Sequence, residues 1–283
     1  MERPFPYFYS EYSDLACERR RADTALNGVN YERNPTEVGI WERISITSEE
    51  GSRSIGRPIG IYNTLFTSRM YELDPTATEC IAIEISDELK SITNIMKVKA
   101  HRVLVVGLGN AALTPDAVGP ECADAVNATM QIKRIDKKSF DALGCCEIAV
   151  IKPGVSAESG LDAAETVLSV CRGISPDLVI AIDALAAGAS DRLGSTVQIS
   201  STGILPGSGL GINSGAINEE TLSVPVIAIG VPTVMDSRIF AGSKATDDEC
   251  SPMFVSPKDV HLVVECSAKI IGGAINKAFG IEL

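Results

Sequence analysis

Residues 106–120 read VGLGNAALTPDAVGP and follow directly on the apolar run Val103-Leu104-Val105-Val106. A buried strand that runs into two glycines predicts a loop held close to another group at the carboxyl end of a sheet strand. Gly107, Gly109 and Ala112 fit the dinucleotide pattern G-x-G-x-x-A. That pattern needs a helix starting near the second glycine, so that its free N–H groups meet a pyrophosphate. Pro115 would fall inside such a helix, removing a hydrogen bond at a cost of about 3 kcal/mol. It fits better in the first turn of a later helix with Thr114 as N-cap. The next expected strand, residues 148–151, runs into Lys152-Pro153-Gly154 and supplies no acid for a ribose. A nucleotide-dependent oxidoreductase is therefore kept only as an alternative.

Outward from this stretch the pattern is α/β. Residues 44–46, 61–66, 103–106, 148–151, 178–182, 197–199 and 226–229 read as strands. Helices are expected from Pro75 through Ile92 and over 116–128, 159–170 and 258–278, where apolar residues recur near a 3.6 period. The fully apolar Leu178-Val179-Ile180-Ala181-Ile182 suits the middle of a parallel sheet. The expected fold is α/β, phosphorylase/hydrolase-like, a mostly parallel or mixed sheet with helices on both faces. Residues 23–50, apart from 44–46, and residues 243–256 read as polar loops.

Composition narrows the function. The chain has 283 residues and a formal charge of −12, from 25 basic and 37 acidic residues. Nucleic-acid surfaces need clustered Lys and Arg, and Arg19-Arg20-Arg21 is the one basic cluster here. The first residues, Met1-Glu2-Arg3-Pro4-Phe5-Pro6, lack the apolar core of a signal peptide, and no 18-residue apolar stretch suits a membrane span. The eight cysteines form no C-x-x-C pair, so reduced thiols in a cytoplasmic compartment are expected. With two histidines, His101 and His261, and no metal-ligand spacing, no metal and no cofactor are expected. G-x-S-x-G, H-E-x-x-H and the Asp-Thr-Gly and Asp-Ser-Gly signatures are all missing.

What the pattern offers instead is a pair of carboxylates. Asp116 lies in the first turn of a helix at the mouth of strand 103–106, and Asp183 ends strand 178–182. Both are expected at carboxyl ends of sheet strands, converging on one cleft. Adjacent carboxylates repel, so one keeps its proton while the other ionises and draws a proton from water. Taken singly, Asp116 also reads as a helix N-terminal acid and Asp183 as a turn residue.

Together "GLGNAALTPDAVGP", "LVIAIDALAA", "PGSGLG" and "VPVIAIGVPTVMD" resemble the germination proteases of spore-forming bacteria. The resemblance runs from "SIGRPIGIYNTL" to "VSPKDVHLVVECSAKIIGGAINKAF" at the C-terminal end. It implies an atypical aspartic endopeptidase that degrades small acid-soluble spore proteins at germination, a homotetramer of the spore core. The family's functional aspartates fall on Asp116 and Asp183. Hydrogenase maturation proteases, which the resemblance relates in fold, carry acids at both positions and add a metal-binding histidine. Where the family often reads G-I-H-P-G-S-G, this chain has Leu205 in place of the histidine. A catalytically silent homologue acting as a binding protein is the corresponding alternative.

The resemblance also implies a self-processing zymogen cut after an acidic residue and before an apolar one followed by Ala. In "YSEYSDLACERR" this places the cut at Asp14–Leu15, with Asp23-Thr24-Ala25 a poorer choice. Residues 1–14, which carry Phe5, Tyr7, Phe8, Tyr9 and Tyr12, become the expected propeptide. Residues 15–283 become a single α/β protease domain, with 15–100 an elaboration on a core of 101–283. Gly107, Gly109 and Asn110 are expected to support the site loop, either as donors to a developing oxyanion or through tight-turn geometry alone.

Overall fold

In a computed structural model of the chain, residues 13–19, 26–207, 215–238 and 253–281 are described. Several expected features lie outside them: the aromatic residues before position 13, the second-choice cut at Asp23-Thr24-Ala25, residues 208–211 of the glycine-rich motif, and residues 243–252 of the polar loop.

Among the described residues the strands are β1 (Val29–Pro35), β2 (Ile40–Ile46), β3 (Gly60–Phe66), β4 (Arg102–Gly107), β5 (Glu147–Ile151), β6 (Leu178–Ala187), β7 (Thr196–Ser200), β8 (Val226–Asp236) and β9 (Phe254–Val255). They form one mixed sheet in the order β1-β2-β3-β7-β8-β6-β4-β5, with β9 on β8. Strands β5, β4, β6 and β8 pair in parallel. From β8 outward through β7, β3, β2 and β1 every pairing is antiparallel.

The helices are α1 (Ala16–Arg19), α2 (Glu49–Ile55), α3 (Pro75–Ile95), α4 (Val118–Asp124), α5 (Met130–Ile135), α6 (Lys137–Leu143), α7 (Ser156–Ser159), α8 (Ala163–Ile174), α9 (Glu219–Leu222) and α10 (Val260–Phe279). Because strand side chains alternate, each central strand feeds two cores. Val103, Val105, Ile180, Ile182, Ile227 and Ile229 meet α3, α4 and α10 on one face. Leu104, Val106, Val179 and Ala181 meet α8 and α9 on the other. Helix α3 is started by Asp74, whose carboxylate accepts from the Ala77 N–H at 2.8 Å, with Pro75 in its first turn.

Several expectations need correction. Asp183 does not end its strand: β6 continues to Ala187, paired with an equally extended β8 and bulged at Leu185/Ala186, where Pro232 stands opposite. Proline is tolerated there because a bulge has no ladder bond to lose. The helix expected over 116–128 is a 3₁₀ turn at Thr114–Asp116 followed by the short α4, and Thr114 makes no side-chain cap. The helix expected over 159–170 divides at Gly160 and restarts from Asp162, which caps α8. The region read as loop before residue 50 forms the β1–β2 hairpin, its outer strand too exposed to show apolar alternation. Within the expected loop at 243–256, Phe254 and Val255 pair with β8.

Among the described residues the cysteines are unpaired. Burial pushes the Cys17 thiol up to about 12 and that of Cys122 further still, so neither is a nucleophile at neutral pH. No helix among them is long and apolar enough to cross a membrane.

Candidate active site

The site starts where β4 ends. A Cβ on Gly107 would lie 2.3 Å from the Gly119 carbonyl oxygen, and one on Gly119 would lie 2.1 Å from that of Leu108. These two glycines let α4 settle directly on the sheet. Gly109 adopts φ 107°, and a Cβ there would meet the Asp116 carbonyl oxygen at 2.1 Å. The helix after β4 begins at Val118, not at the second glycine, so the pyrophosphate geometry is not formed.

The intervening loop folds back on Asp116. The Asn110 backbone N–H donates to Asp116 Oδ2 at 2.7 Å, and the Thr233 hydroxyl donates to the Pro115 carbonyl at 2.6 Å. Asp116 is thus tied both to its own loop and to β8. Burial raises its proton affinity, the Asn110 N–H lowers it, and the charge of Glu158 raises it again.

Asp183 is 5% exposed. One of its oxygens accepts from the Ala184 N–H at 2.9 Å. Burial holds its carboxyl well above the usual range, and the charges of Asp116 and Asp14 push the same way. Asp116 and Asp183 line one cavity of about 520 Å³, together with Asp14, Asn110 and Leu205. Its walls are mostly apolar, from Leu113, Pro115, Val155, Leu185 and Ile204. Charges in such surroundings interact far more strongly than in water. Both carboxyls are therefore harder to ionise than a free aspartate, Asp183 the more strongly because it is the more deeply buried.

Of the three residues expected as loop support, Asn110 reaches the cavity, and its backbone N–H is engaged by Asp116. Gly107 and Gly109 serve close backbone approach. Leu205, 43% exposed, lines the cavity wall. Among the described residues no group of three or more His, Cys, Asp or Glu side chains could hold a metal.

Sequence reading missed two polar residues beside this cavity, Arg57 and Gln198. They line an adjoining space of about 290 Å³ that shares Asp14, Leu185, Ile204 and Leu205 with the first. Gln198 had no signal of its own. Arg57 stands inside SIGRPIGIYNTL, a stretch that carries family resemblance but no chemical pattern of its own.

An α/β protein whose sheet brings two aspartates into one mostly apolar cavity is the class that this fold describes. Comparison with known proteins narrows it. The germination protease family profile matches residues 11–247, and the chain belongs to that family of peptidases. It is 31% identical to a germination protease of Clostridium perfringens, covering 95% of both chains. A Caldanaerobacter subterraneus germination protease is 38% identical over 80% of this chain and 69% of its own. That of Priestia megaterium is 35% identical over 81% and 64%. Among solved structures, the [NiFe] hydrogenase maturation protease HycI from Thermococcus kodakarensis gives a TM-score of 0.35 at 17% identity, covering 67% of this chain and 99% of that one.

Proposed function

We propose that this chain is an aspartic endopeptidase of spore germination. It is made as a zymogen that frees itself of residues 1–14 by cutting Asp14–Leu15. Asp116, the carboxylate that ionises first, takes a proton from water, and the oxygen attacks the peptide carbonyl. Asp183 donates its proton to the carbonyl oxygen, giving a gem-diol; as its C–N bond breaks, Asp116 passes the proton taken from water to the leaving amine and a gem-diol hydroxyl returns one to Asp183. The pair titrates as a unit. The observation that carries this reading is the shared apolar cavity, which Asp14 lines beside both aspartates.

The substrates in this reading are small acid-soluble spore proteins, as the sequence resemblance implies, and the assembly is a homotetramer of the spore core. The test follows intact mass over time at mildly acidic pH for wild type and Asp183→Asn. Release of a fragment ending at Asp14 from wild type alone supports the reading. No cleavage of itself or of an added spore protein overturns it and favours the silent homologue, with Leu205 the first residue to examine.

A further inference from the structure

Residues 13–17 do not hang free; they lie along the face of β6, β8 and β7 that carries Asp183. The Asp14 N–H donates to the Ala186 carbonyl at 2.9 Å, and the Ala186 N–H donates to Asp14 Oδ2 at 3.0 Å. Arg57 Nη2 lies 3.6 Å from Asp14 Oδ1 and donates to the Ser13 carbonyl at 3.1 Å. Gln198 holds the main chain on both sides of the Asp14–Leu15 bond. Its Nε2 donates to the Asp14 carbonyl at 3.1 Å, and its Oε1 accepts from the Ala16 N–H at 2.8 Å. The Leu15 side chain is wholly buried with Leu185 and Ala187.

These contacts have the form of peptide recognition. A backbone clamp independent of side chain, a cation with a backbone N–H on one acid, and an apolar pocket for the next residue each read one element of the segment. Resting on the protease reading, we infer that this groove is the substrate-binding site and that residues 13–16 occupy it as a built-in substrate. Arg57 and the Ala186 N–H read an acidic residue before the cleaved bond, and Gln198 aligns the chain for Asp116 and Asp183.

Arg57 is placed for this by its surroundings. Gly56 ends α2 in the left-handed region at φ 70°, turning the chain so that Arg57 follows at once. The Ser52 hydroxyl donates to the Arg57 carbonyl at 2.8 Å, and the Tyr62 hydroxyl donates to that of Pro58 at 2.9 Å. The Arg57 Nε is a buried donor without a hydrogen-bond partner. These contacts meet, residue by residue, the cut that the resemblance implies, an acidic residue before an apolar one followed by Ala. A neutral amide at the first position would leave the guanidinium half-buried and uncompensated.

The test is a double-mutant cycle on self-release in the full-length chain, read by intact mass, with melting scans of each variant. Asp14→Asn and Arg57→Gln should each slow release roughly tenfold or more, and the double variant should be no slower than the slower single, since both remove one interaction. Arg57→Lys, which keeps the charge, should recover part of the rate. Independent, multiplying effects, or full-rate release by Arg57→Gln, would overturn this inference alone. A wild type that releases nothing overturns the protease reading with it. Should Arg57→Gln lose its melting transition, Asp14→Glu against Asp14→Asn decides: Glu keeps the rate and Asn loses it, and equal rates overturn the assignment.

Discussion

Asp183 and Gln198 face each other across Gly230. The three stand in register on β6, β8 and β7, so the two side chains rise from the same face with no side chain between them. Two strand spacings separate their backbones by about 10 Å, the width an extended peptide needs. A Cβ on Gly230 would lie 2.4 Å from the Leu185 side chain. Gly230→Ala should therefore drive Leu185 into the groove, slow self-release about tenfold and cost roughly 1–3 kcal/mol of stability. Release at the wild-type rate, measured by intact mass, would show that the gap is not used.

Asp116→Asn and Asp183→Asn should each lower the turnover rate by at least about 10²-fold, the scale of general acid–base catalysis. The wild-type rate should follow a bell in pH. Its acid limb falls as Asp116 gains a proton, and its alkaline limb falls as Asp183 loses one. Both carboxyls are raised, so both limbs should lie above the ordinary carboxylate range. A rate that climbs steadily into alkaline pH would count against the pair.

Asp183→Asn should at the same time make the protein more stable at neutral pH. Below the pKa of an unfolded Asp, about 3.9, folded and unfolded chains both hold the proton and no penalty exists. As pH rises, the unfolded chain ionises first, and stability falls until pH passes the raised folded value. The amide cannot ionise and escapes this loss. The melting temperature should exceed wild type at pH 7 by roughly 2–4 °C for each kcal/mol recovered, and the gap should close near pH 3. Equal melting at pH 7 would mean that Asp183 is not held protonated.

How much of this was legible beforehand varies with the range of the interaction. The α/β class and the two aspartates stood out because runs such as Leu178–Ile182 declare their strands locally, and the turn around Pro115 places Asp116 against the first of them. β1 stayed hidden because an exposed edge strand carries no apolar rhythm. The extension of β6 past Asp183 was equally hidden, since it depends on pairing with β8 through a bulge. Gln198 is brought opposite Asp183 only by sheet order, which no short window records. The same holds for Arg57, whose role rests on a residue more than forty positions earlier in the chain.

Gly119→Ala tests whether close packing positions the loop that carries Asp116. The added methyl would meet two backbone carbonyls, of Leu108 at 2.1 Å and Ile182 at 2.5 Å, neither able to rotate away. A loss of about 1–3 kcal/mol is expected, with a fall in activity beyond what reduced folding explains. Unchanged melting by calorimetry would show that α4 is free to lift.

Leu205→His restores the residue frequent in the family. Leu205 is 43% exposed, so the exchange should leave stability within about 0.5 kcal/mol. Protonated, the imidazole would favour ionised carboxylates across the cavity and should move the acid limb of the rate profile to lower pH. An unmoved limb would place position 205 outside the electrostatics of the pair.

The place of Asp14 beside two other aspartates governs the fate of the new chain end made by a cut at Asp14–Leu15. Hydrolysis there would create an α-carboxylate on Asp14, in the cavity that Asp14 shares with Asp116 and Asp183. A further negative charge crowded onto that pair in mostly apolar surroundings is strongly disfavoured. The product would then bind worse than the intact segment it came from, so the first turnover would evict its own end and leave the groove vacant. Activation of this kind runs in one direction, a ratchet whose pawl is the charge that cleavage itself generates.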